Sequence, residues 1–195
     1  MSSDASCESM MWKYLLPRIA LADLPAMLLT VVVGSVIAGL YGVVHDQLTY
    51  SIGPEYFTQL KFKQFHYADF GLADRVFVVI IGFLATWWVG AIAGWLLARR
   101  LIPHQPRARA IRQIGLGIVL MLTSAAVFGL AAYGYGLLRG PTADYSAWSW
   151  VVRAYQVTDL WAFVRVAYIH NSGYLGGLLG LVVALLLIRP AREEP

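Results

Sequence analysis

Four stretches of the chain are apolar for twenty or more residues, and polar segments separate them. They run over about 25–44, 76–98, 113–138 and 166–188. At about 1.5 Å of rise per residue, a helix of about twenty residues crosses a hydrocarbon core of about 30 Å. Each run therefore predicts a transmembrane helix. The second is the plainest: a charged lip from Asp69 to Arg75, an uninterrupted apolar run from Val76 to Ala98, then Arg99 and Arg100. Its layout returns ninety positions later, with Asp69 falling on Asp159, Arg75 on Arg165, Gly90 on Gly180 and Arg99 on Arg189. Gly39-Leu40 of the first run matches Gly129-Leu130 of the third at the same offset. The expectation is an all-α integral membrane bundle of four transmembrane helices, built as two related hairpins in parallel topology.

The polar segments set the orientation. The loop 99–112 carries Arg99, Arg100, Arg107, Arg109 and Arg112 and no acid. A short basic loop belongs in the cytoplasm, and an even number of spans puts both termini there too. Residues 1–24 predict a cytoplasmic interfacial segment, with Met10, Met11, Trp12, Leu15, Leu16 and Ile19 on one side and Lys13 and Arg18 toward water. No leader cleavage is expected, and residues 189–195 form a cytoplasmic tail. The two outer segments, 46–75 and 139–165, are rich in aromatics and predict interfacial helices; Gly53-Pro54-Glu55 reads as the start of the first. Lys61 and Lys63 on the outer side, and Arg99 and Arg100 on the inner, are the expected contacts to lipid headgroups.

Within the spans, small residues at helical spacing predict close helix contacts: Gly34, Ser35, Ala38 and Gly39 in the first, Gly90 and Gly94 in the second. Trp87 and Trp88 are expected to fill a helix crossing. Asn171-Ser172-Gly173 predicts a local break in the fourth span.

Composition agrees with the hydropathy pattern. The chain is 59% hydrophobic and 13% charged, against about 25% charged residues in a soluble domain. The net charge of +4 is accounted for by the orienting arginines and implies no nucleic acid. A single cysteine, Cys7, excludes an internal disulfide and a cysteine metal cage. No P-loop, GxSxG, HExxH or CxxC motif is present.

The candidate chemistry gathers on the outer side. The first span ends at His45 and Asp46, and the fourth begins just before His170, Asn171 and Tyr174. With Glu55 and Arg165 they form a candidate outer-face polar site. Imidazole with carboxylate suffices for general acid–base work or a zinc-like centre, with His45, Asp46 and His170 the candidate ligands. No metal or other cofactor is assigned, because the spacing matches no ligand motif. The structural alternative is that these groups lock helices together by hydrogen bonds.

Three blocks, HDQLTYSIGPEYFT at 45–58, ATWWVG at 85–90 and HNSGYLGG at 170–177, resemble a family of bacterial multi-span integral membrane proteins that has no established activity. The resemblance implies a protein of the bacterial cytoplasmic membrane and carries over no catalytic residue. The expected function is binding of a ligand or partner through the outer face, with lipid and possible homo-oligomer or other membrane-protein contacts. The alternatives are a small membrane enzyme or metal site on the same residues, and an oligomeric transporter or channel.

Overall fold

A computed structural model describes residues 20–189. Cys7, most of the expected interfacial segment 1–24 and the tail beyond Arg189 lie outside the described residues. Four long helices carry the fold: α1 Leu24–Ile52, α2 Asp74–Leu101, α3 Arg107–Arg139 and α4 Leu160–Leu187. Each is long and apolar enough to cross a membrane. No strand occurs among the described residues.

α1 runs eight residues past the expected exit at Val44. Polar residues at its outer end do not leave the helix; they bind the neighbouring one. Gln47 Nε2 donates to the Arg75 carbonyl at 2.8 Å, and Arg75 donates back to Gln47 Oε1 and to Ser51 Oγ, each at 3.1 Å. α4 is also longer than expected and is unbroken through Asn171-Ser172-Gly173. Its start is fixed by Asp159, whose Oδ1 accepts from the Ala162 amide at 2.9 Å.

The outer segments are helical. Pro54 opens a second helical piece after α1, which widens into π-type turns over Tyr56–Lys61 and ends at Gln64. The second outer segment forms a short helix, Ser149–Tyr155, closed by Gln156 in the left-handed region at φ 55°.

α1 packs along α2, and α3 along α4. Glycine lets the backbones touch. A Cβ on Gly90 would lie 2.1 Å from the Gly34 carbonyl oxygen, and one on Gly180 would lie 2.8 Å from Met121 Cα and Ser124 Cβ. These crossings, Gly34 with Gly90 and Ser124 with Gly180, fall at positions ninety residues apart. Hydroxyls reinforce both: Thr86 Oγ1 lies 2.8 Å from the Ala38 carbonyl oxygen, and Ser124 Oγ donates to the Gly176 carbonyl at 2.7 Å. Trp87 and Trp88 do not fill a crossing; they are 42% and 50% exposed. Small residues fill the α1–α2 seam, so the indoles have no room inside it.

The hairpins meet at their two ends. At the inner end Met27, Leu97, Leu101, Ile114, Met121 and Leu181 form one core. Beneath the outer segments Tyr56, Phe57, Val78, Val151, Phe163 and Val166 form another. Between these contacts the hairpins stand apart and enclose a cavity of about 790 Å³.

Candidate functional site

The cavity is walled mostly by apolar side chains, with its polar residues, Thr86 apart, toward the outer end. Leu84, Val89, Met121, Leu122 and Leu181 line the apolar part; Tyr41, His45, Asp46, Lys61, His170 and Tyr174 line the outer part. Trp88, Ile92, Tyr174 and Leu178 line it too, yet are 50%, 49%, 50% and 61% exposed. They make a lateral rim that faces where lipid would lie.

His45 and Asp46 come from α1 and His170 from α4, so the site spans the seam between hairpins. Asp46 and His170 are buried. His170 Nε2 lies 3.2 Å from Asp46 Oδ1, and its Nδ1 lies 2.9 Å from the Val166 carbonyl oxygen. The His45 ring meets the His170 ring edge-on at 4.7 Å between centroids. Donor atoms of His45, Asp46 and His170 all lie within 4.8 Å of one another. Aromatic rings wall the group in: Tyr56 lies 4.7 Å, Phe57 6.0 Å and Tyr174 6.2 Å from the His170 ring.

Helical spacing explains which residues face inward. His170, Gly173, Tyr174, Gly177, Leu178 and Leu181 recur at three- and four-residue intervals and line the cavity from one face of α4. Ala38, Tyr41 and His45 do the same on α1, and Lys61, Gln64 and Phe65 on the outer segment. This periodicity is the signal that separates Lys61 from Lys63. Lys61 was expected among the headgroups but is only 8% exposed, with its ammonium 5.8 Å from the Tyr56 ring centre. Burial pulls its pKa below the ordinary lysine value, against the opposing attraction of Asp46. Burial is also the main cause that raises the Tyr56 hydroxyl above the usual tyrosine value, with Tyr174 and Asp46 adding to it. Tyr41, Tyr56 and Lys61 thus join the site, although the sequence reading had not placed them there.

Other expected members lie elsewhere. Glu55 is a bracket between hairpins. Its carboxylate accepts from the Thr158 amide at 2.8 Å, the Asp159 amide at 2.9 Å and the Thr158 hydroxyl. Burial alone would raise its pKa, but these three bonds outweigh it and hold the carboxyl below the usual glutamate value. Arg165 stacks on Trp161 at 3.8 Å and packs against Gly136 of α3, with its Nε buried and unpartnered. Asn171, one step round α4 from His170, is exposed and borders a smaller cavity of about 230 Å³ beside Trp148 and Tyr155. Lys63 is exposed and lies 5.7 Å from the Tyr155 ring centre. At the inner end Arg100 donates to the Ile188 carbonyl at 3.2 Å, and Arg107 to the Ala22 carbonyl at 3.0 Å. Arg100 therefore serves the end of α4, and Arg99 is partly buried beside it.

The fold and its four candidate spans define a multi-pass, all-α membrane protein. No known family, curated protein or solved structure matches the chain.

Proposed function

We propose that this protein binds an amphipathic, lipid-soluble molecule between its two hairpins. The apolar part of the ligand lies along α2, α3 and α4. Its polar end meets His45, Asp46, Lys61, His170 and Tyr174. The observation that carries this is the cavity of about 790 Å³, apolar over most of its wall and polar at one end. Its size falls within the roughly 300–1,000 Å³ of small-molecule sites, which are likewise mostly apolar with a few converging polar groups. The exposed rim of Trp88, Ile92, Tyr174 and Leu178 gives the ligand a way in from the bilayer. We place the protein in the bacterial cytoplasmic membrane, with the arginine-rich loop and both termini on the cytoplasmic side. We also read the hairpins as copies of one ancestral unit, in keeping with the matched glycine crossings.

Native mass spectrometry of the protein in mild detergent tests the binding. A Cβ on Gly177 would touch only Ala125 Cβ, at 3.8 Å, so a larger side chain fits there and projects into the cavity. Wild type should retain a specific lipophile that Gly177→Leu loses while still folding. Identical bulk-lipid profiles for the two proteins would refute the binding.

A further inference from the structure

We propose that His45, Asp46 and His170 together bind one divalent first-row transition-metal ion, zinc or iron(II), at the polar end of the cavity. The ion would be held whatever fills the apolar part.

His170 stands between a backbone carbonyl and a carboxyl group. The Val166 carbonyl oxygen, 2.9 Å from Nδ1, can only accept, so Nδ1 carries a hydrogen. Asp46 Oδ1 lies 3.2 Å from Nε2. In a neutral imidazole with its hydrogen on Nδ1, Nε2 presents a lone pair toward that oxygen. Two such atoms at this distance are joined by a proton or by a metal ion. His45 favours the ion. Its ring lies edge-on to His170 at 4.7 Å, and one of its nitrogens completes a set of three donor atoms within 4.8 Å of one another. A proton would join His170 to Asp46 alone. An ion uses all three donors.

The shapes agree with a metal centre. Donors at about 2.0–2.2 Å from a tetrahedral ion stand about 3.3–3.6 Å apart. Nε2 of His170 and Oδ1 of Asp46 are already near that spacing, and small rotations within the 4.8 Å cluster bring in His45. The Nδ1–H bond to a backbone carbonyl is the outer contact that orients a metal-bound histidine. Two imidazoles and a carboxylate suit zinc or iron(II), and leave further positions for an exogenous ligand. Those positions adjoin the cavity, because all three side chains line it.

The test uses the full chain, purified in detergent, stripped with a chelator and titrated with Zn²⁺ or with Fe²⁺ under anaerobic conditions against a chromophoric competitor. One ion per chain should bind. Asp46→Asn and His170→Gln should each weaken it by at least about 100-fold, since loss of even an outer contact costs about 10–100-fold. His66→Ala, on the exposed outer surface, should change nothing. X-ray absorption on zinc-loaded wild type should show two imidazoles and oxygen, and needs no variant to fold. No stoichiometric ion, equal affinity in Asp46→Asn, His170→Gln and wild type, or a spectrum without histidine overturns the metal site. Lipid measured in the same preparation separates the two proposals: a metal-free protein that keeps its lipophile sinks only the ion, and a loaded one without lipophile sinks only the cavity ligand.

Discussion

Single residues in this protein work by which way they point. Arg165 and His170 are five positions apart on one helix, and His170 and Asn171 are adjacent. Yet His170 enters the site, Asn171 faces outward and Arg165 packs against Gly136. Residue type was enough to nominate His45, Asp46 and His170 from the sequence. It could not reject Arg165 or Glu55, because a charged residue near a helix end has the same hydropathy whichever face it occupies. The three- and four-residue spacing that brings Lys61 and Tyr174 inward was present in the sequence, but it shows a shared face only once the partner helices are known. Glu55 supports a prediction at this scale. Its carboxyl is held below its ordinary pKa, so the stabilisation is fully present above the unfolded value. It is lost as pH falls through the lower folded value. Thermal unfolding in detergent should show Glu55→Gln less stable than wild type at neutral pH, by about 1 kcal/mol for so exposed a group. The gap should close below about pH 4.

Helices are where the sequence was most legible. Four apolar runs predicted four long helices, and the structure has them. Two of them run further than the apolar runs they contain. Polar residues were read as the end of a span, whereas α1 carries Gln47, Thr49 and Ser51 onward as helix because α2 or its own backbone satisfies them. The break expected at Asn171 failed likewise: glycine permits a kink, and continuous packing against α3 removes the occasion for one. Glycines of one composition have opposite worth according to the seam they face. Gly90→Leu must push its side chain into the α1 backbone, and should cost at least about 2 kcal/mol in thermal unfolding. Gly134 has nothing within 4 Å of an added Cβ, so Gly134→Ala should be neutral or stabilise by up to about 1 kcal/mol.

At the scale of the whole molecule, the topology is directly measurable. In a Cys7→Ser background, a cysteine at exposed Tyr67 should react with an impermeant thiol reagent on intact cells, and one at exposed Arg109 should react only after lysis. The opposite pattern would turn the protein over. Whatever its orientation, the bundle is pinned at both ends and hollow between, and its polar cluster joins the first long helix to the last. A ribosome delivers those helices in order, so Asp46 reaches the bilayer more than a hundred residues before His170 does. Until the fourth helix arrives, the nascent chain carries an acid at the membrane's edge with no imidazole across from it. A truncated product would keep that acid without its imidazole permanently.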